Sequence, residues 1–173
     1  MPDSLELLLG QRERFRLAPP GSWRLVEDWI GRKLPVDYKA LVDGYGDGIL
    51  WKHLFVPHPE GVDPLLKFMQ EEQRDFHAAY ENVRNIPTEI RESWDRVVPW
   101  AYHDWNGDVC LLVPGAGPDQ WDIAVAFRQC PEFMWVEGGV TGFLRLLVEE
   151  SRFPRGWPVT DLQWQSMPDS PLV

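Results

Sequence analysis

The sequence predicts a single α+β domain in which helices cover one face of an antiparallel, or mixed, sheet. Three observations carry this. Apolar residues recur at helical spacing through the first third and again near residues 65–83 and 140–147. From Val97 the period changes to short strand-like runs separated by turn residues, the pattern of a meander. No regular strand–helix alternation is present, which argues against a parallel doubly wound sheet. At 173 residues the chain is long enough for one domain with a proper core and short for two.

The elements follow in order. Ser4 is placed to cap a first helix with Leu5, Leu8, Leu9 and Phe15 on one side, reaching about Arg16 before Pro19-Pro20-Gly21 stops it. Ser22 is the next cap, for a helix over 23–32 with Trp23, Val26 and Ile30 inward. Pro35 suits the first position of a third helix, and Asp37 sits in its positive first turn. Tyr38, Leu41, Val42 and Tyr45 then form one apolar stripe. Gly44, Gly46 and Gly48 end this helix and offer positive φ to the turn that follows. Residues 49–56 read as one apolar strand, closed by Pro57 and Pro59. Asp63 is a cap followed by Pro64 at the first position of a longer helix, with Leu65, Phe68, Met69, Phe76, Tyr80 and Val83 inward and Glu71, Glu72 and Asp75 outward. One short helical turn is expected through Ile90 and Trp94.

Strands are then expected over 97–103, 109–113, 121–127 and 133–136, with Asn106-Gly107 as a two-residue hairpin turn and Gly115 to Asp119 as a longer one. Gly138-Gly139 leads into a last helix with Val140, Phe143, Leu144 and Leu147 inward. In the tail, 152–173, part is expected to pack on the body and the residues after Met167 to fray.

Composition narrows the function. Lys and Arg total 17 against 27 Asp and Glu, a net charge of −10, which repels phosphate backbones and attracts basic partners. Direct nucleic-acid binding is therefore disfavoured. Two cysteines cannot form a disulfide framework, and Cys110 lies in an apolar run where a thiol acts as a small hydrophobe. The N-terminus lacks a basic region followed by an apolar one, and no segment approaches a membrane span, so a cytoplasmic protein without membrane contact is expected.

Motifs for chemistry are missing. The glycines from Gly44 to Gly48 follow a helix and enter a strand, the reverse of a dinucleotide-binding loop, and no phosphate-binding G-x-x-x-x-G-K-[ST] occurs. Asp104 to Asp108 resembles the opening of a calcium loop. Its sixth position would be Val109 rather than Gly, and its twelfth Gly115 rather than Glu. His53 and His58 have no third ligand at zinc spacing, and no G-x-S-x-G is present. No cofactor, metal or catalytic residue is expected.

The arrangement of the residues from Trp29 to Gly48 matters more than any one of them. Trp29-Ile30-Gly31-x-x-Leu34-Pro35-x-Asp37-Tyr38-Lys39-x-Leu41-Val42-x-x-Tyr45-Gly46-x-Gly48, followed by a strand, resembles the N-terminal signature of the SUKH superfamily, the Smi/Knr-type domains. Trp105-Asn106-Gly107-Asp108, Trp121 and Gly142-Phe143-Leu144 are similar to its second half, so the resemblance covers about 23–151. It implies an α+β fold whose signature positions, Leu34, Pro35, Tyr38, Tyr45, Gly46 and Gly48, define the fold rather than a site. It implies a bacterial immunity protein that binds and neutralises a polymorphic toxin, often a nuclease, or a regulatory interaction module with an endogenous partner. An enzyme whose site assembles only in space is a third reading. For a protein partner, the candidate contacts are the acids Glu71, Glu72 and Asp75 on the long helix and Asp104, Asp108, Asp119 and Asp122 at turns of the meander. Nothing in the sequence signals an oligomeric state.

Overall fold

A computed structural model describes residues 4–11, 16–161 and 164–172. Among the described residues six α-helices and seven strands follow one another as α1 Ser4–Leu9, α2 Pro20–Ile30, α3 Val36–Tyr45, β1 Gly48–Leu50, β2 Leu54–Val56, α4 Leu65–Tyr80, α5 Thr88–Glu92, β3 Val98–His103, β4 Val109–Pro114, β5 Trp121–Ala126, β6 Phe133–Val136, α6 Gly139–Val148 and β7 Trp164–Ser166, with a 3-10 turn over Trp94–Arg96. The strands form one sheet in the order β6-β5-β4-β3-β2-β1-β7, every neighbouring pair antiparallel. The α+β class and the meander are as expected.

Side chains alternate cleanly across β4, β5 and β6, and both faces are apolar. Cys110, Leu112, Ile123, Val125 and Val136 point into a core closed by α1, α2, α3 and α6. Leu111, Val113, Ala124 and Ala126 point the other way, where Phe76 and Tyr80 of α4 and Ile90 of α5 cover them. The helix layer expected on one face is therefore joined by a smaller one on the second. The uninterrupted apolar run of β4 explains this, since a strand with two apolar faces needs cover on both.

Several local expectations are corrected. The apolar run 49–56 is a hairpin, β1 and β2, turning through Trp51, Lys52 and His53. Trp51 and Lys52 have φ of 49° and 68°. Neither is a residue that favours this region, and the turn is held from outside. The Trp51 ring is buried edge-on to Phe153, the Trp51 carbonyl accepts the Thr160 hydroxyl, and the His53 carbonyl accepts Asp104 N–H.

Glycine plays a different part after α3 than expected. The helix runs through Gly44 to Tyr45, and the positive φ falls on Asp47, at 54°, while Gly46 has an ordinary φ of −64°. Gly46 and Gly48 provide space instead. A Cβ at Gly46 would collide with the Val42 carbonyl, and one at Gly48 with the Trp164 indole.

Four helices are entered from an extended proline, namely α2 from Pro19, α3 from Pro35, α4 from Pro64 and α5 from Pro87. The caps expected of Ser22 and Asp63 are not used. A proline at this position has no N–H to leave unpaired, and its fixed φ suits the bend into the helix. The first helix ends at Leu9, before Gly10 at φ 86°, and the Phe15 expected on its apolar side lies outside the described residues. The tail does more than pack. Its β7 pairs with β1 and extends the sheet, Trp157 is buried, and Leu172, beyond the expected point of fraying, is buried as well.

The signature stretch is the centre of this fold. Tyr38 is fully buried, edge-on to both Trp23 and Trp100 at 6.1 and 6.0 Å. The Tyr45 hydroxyl donates to the Gly10 carbonyl at 2.5 Å. Buried Glu27 accepts the Leu34 N–H at 3.0 Å and is gripped by Lys33 and Lys39. Burial would push its carboxyl up, but these bonds hold it below the ordinary range.

His58 locks the loop into α4. Its buried ring accepts Glu60 N–H at Nδ1 and donates from Nε2 to the Arg16 carbonyl, which requires the neutral tautomer. Burial lowers its pKa, against the Arg16 bond and the charges of Asp43, Glu60 and Asp47. With the folded value below the unfolded one of about 6.5, the unfolded chain takes up the proton first, so stability falls as pH drops below about 6.5. Urea midpoints measured at about pH 5 and 7.5 are expected to show this loss in the wild type, with a smaller loss in His58→Gln. An equal loss in both would contradict the assignment.

Candidate partner-binding surfaces

The seven candidate acids fall in three places. Glu72 and Asp75, one turn apart on α4, line a groove of about 680 Å³ between that helix and the second face of the sheet. Its walls are aromatic, from Phe76, Tyr80 and Tyr102, and its far side carries Arg128. Small residues keep it open. Ala78, Ala79 and Ala126 line it, and at Gly107, with φ of 80°, a Cβ would come within 2.8 Å of the Arg128 side chain. Burial raises the Glu72 carboxyl, Asp75 raises it further, and Arg128 pulls it down. Tyr80 is pushed up to about 12, by burial first and then by Asp108, and its hydroxyl donates to the Phe127 carbonyl at 2.6 Å. Glu71 does not line this groove and lies within 4.0 Å of Lys67.

The β3–β4 connection carries Asp104 and Asp108, and they differ sharply. Asn106-Gly107 does not make a two-residue turn. Gly107 N–H donates to the His103 carbonyl, and His103 N–H to that of Asp108, giving a wider loop. Asp104 is exposed at its tip, 2.7 Å from His53 Nδ1. Asp108 is only 2% exposed, which removes it from the candidate contacts. Its two oxygens accept Arg128 N–H at 3.0 Å and the Trp157 indole at 2.9 Å. It thereby ties β4, the β5–β6 loop and the tail together. Trp157 in turn stacks on His103 at 4.1 Å and 14°.

At the opposite end of the sheet, Asp119 is exposed and Asp122 is half-buried, beside a cleft of about 540 Å³ that Asp37 and Glu137 also line. The Asp122 carboxyl is raised by burial, against a hydrogen bond from Gly138 N–H, and then by Glu137 and Glu89. Arg32 closes the neighbouring turn. Its guanidinium donates to the carbonyls of Gly115, Gly117 and Gln120 and lies 5.0 Å over Trp121.

Trp105, at the tip beside Asp104, is 64% exposed and was not among the candidates. A bulky aromatic in a polar hairpin loop is the signal that finds it, because such rings anchor protein interfaces. Among the described residues no group of three or more His, Cys, Asp or Glu is placed to hold a metal, and no helix is long and apolar enough to cross a membrane.

The two hairpin acids offer a direct comparison. Asp108→Asn keeps the shape but replaces one acceptor oxygen with a donor, and is expected to cost about 1–3 kcal/mol in urea unfolding. Asp104→Asn, at the exposed tip, is expected to stay within about 0.5 kcal/mol of wild type. Equal effects would contradict their separate roles. No family model, curated protein or solved structure matches this chain.

Proposed function

We propose that this chain is a non-enzymatic immunity protein of the SUKH type, which neutralises a protein toxin by binding it directly through the groove beside α4. One observation carries the reading. In a chain of net charge −10, Glu72 and Asp75 stand on the wall of an open, aromatic-lined groove that partly desolvates Glu72. A carboxylate raised by burial and by a like charge gains when a cation arrives. A basic side chain of the partner, its stem against Phe76, Tyr80 or Tyr102 and its charge at the carboxylates, is the complementary occupant.

A toxin that cleaves nucleic acid needs a basic substrate groove, and an acidic inhibitor is steered towards it and covers it. The signature residues support the same division of labour. Tyr38, Tyr45, Gly46 and Gly48 are buried in the scaffold, leaving recognition to the surface.

Three measurements test the proposal. Co-expression with the product of the neighbouring gene, if that product is a toxin, is expected to restore growth, and the purified pair to form a stable complex. Stopped-flow association with that toxin is expected to slow by at least about tenfold from low to high salt. Glu71→Lys/Glu72→Lys/Asp75→Lys is expected to slow it comparably at low salt. An association rate indifferent to both salt and charge reversal would overturn the groove as the docking surface.

A further inference from the structure

β6 is the terminal strand of the sheet, and among the described residues no strand lies beyond it. Its register on β5 runs from Ile123↔Val136 to Ala126↔Phe133 and continues with Phe127 N–H donating to the Glu132 carbonyl at 3.1 Å. That bond makes 127/132 a hydrogen-bonded pair, and antiparallel alternation makes 125/134 and 123/136 bonded pairs as well. The main-chain groups of Met134 and Val136 therefore face β5. Those of Phe133 and Trp135 face outward, at an edge that no strand pairs among the described residues.

Natural edges of this kind are usually guarded by an inward charge, a bulge or a covering loop. β6 reads Phe-Met-Trp-Val without a charge or a proline, and its first three side chains are only partly buried. Its two ends differ. Glu132, at the start, is neutralised by Arg155 at 3.1 Å. At the finish, Glu137 stands near Asp122 of β5, and both Glu137 and Glu89 act on Asp122 as like charges.

We infer that the outward edge of β6, with Phe133 and Trp135 as its donors and acceptors, binds an extended segment of a partner protein as an eighth, antiparallel strand, and that this segment is basic at its N-terminal end. An antiparallel strand places that end beside Glu137, Asp122 and Glu89, where a Lys or Arg meets negative charge that no ion pair among the described residues balances. A second copy of this chain fits less well. It would bring its own Glu132, with Arg155 already committed to it, to the acidic end, and it adds a further charge of −10. The inference goes beyond the toxin-binding reading and needs no toxin for its test.

The probes are two acetylated peptides, Lys-Lys-Thr-Val-Thr-Val-Thr and Glu-Glu-Thr-Val-Thr-Val-Thr, titrated into the full chain while amide exchange is followed by NMR. The basic-headed peptide is expected to slow exchange of the Phe133 and Trp135 amides by about tenfold or more at saturation, and the acidic-headed one to leave them unchanged. Glu89→Gln/Glu137→Gln is expected to weaken the basic peptide severalfold. Trp135→Pro removes an outward donor without removing a bond to β5 and is expected to abolish binding. If that variant unfolds, the charge variant and the peptide pair decide the matter alone. Failure of the basic peptide to protect either amide would overturn the inference, as would equal protection by both peptides. Protection that rises with protein concentration in the absence of peptide would assign the edge to a second copy instead.

Discussion

Three carboxylates on α3 and at its exit each accept a main-chain N–H from a different, distant part of the chain. Asp37 receives Thr141 N–H and hydroxyl, both at 3.0 Å. Asp43 receives Ala18 N–H at 2.9 Å, and Asp47 receives Val62 N–H at 3.1 Å. In this way one ten-residue helix and the turn that leaves it fix the start of α6, the approach to α2 and the loop into α4. The bond from Asp37 is a helix cap supplied from outside the helix. The α6 N-cap is Gly138, which has no side chain to offer, and a carboxylate borrowed from α3 satisfies the third residue of the helix. Because these partners are backbone groups, the constraint sets where whole segments lie.

The edge of the sheet depends on the same hub. Asp47 also accepts Met167 N–H on its carbonyl, and the Trp164 indole donates to the Tyr45 carbonyl at 2.8 Å across Gly48. These contacts place β7 beside β1. The β1–β2 hairpin then continues into β3, and the His53 carbonyl orients the loop that carries Asp104 and Trp105. The signature stretch thus reaches the surfaces through the sheet while taking no direct part in them. The groove beside α4 gains its acids from a helix whose entry is set by Asp47 and His58, and its floor from strands packed on the opposite face by α3 and α6.

Much of this was legible because it is local. The meander, α4 and α6 follow from periodicity and turn residues alone, as does the acidic side of α4. What could not be read depends on contacts far apart in sequence. No local rule bends Trp51 and Lys52 into positive φ; burial of Trp51 against Phe153 does. β7 exists because Gly48 leaves room for Trp164. Among the acids, Glu71, Glu72 and Asp75 look alike in sequence, and only packing of α4 on the sheet turns two of them into the groove. Asp108 reads as a solvated turn residue until the tail delivers the Trp157 indole to it.

The central claim is that the three carboxylates of α3 and its exit, Asp37, Asp43 and Asp47, hold three separate segments, each through a main-chain bond. Amide exchange in Asp37→Ala, Asp43→Ala and Asp47→Ala tests it most directly. Each variant is expected to lose about 1–2 kcal/mol of stability, with protection falling first at its own partner, Thr141, Ala18 or Val62 respectively. Uniform loss of protection across all three segments in every variant, or no change at the named amides, would contradict it.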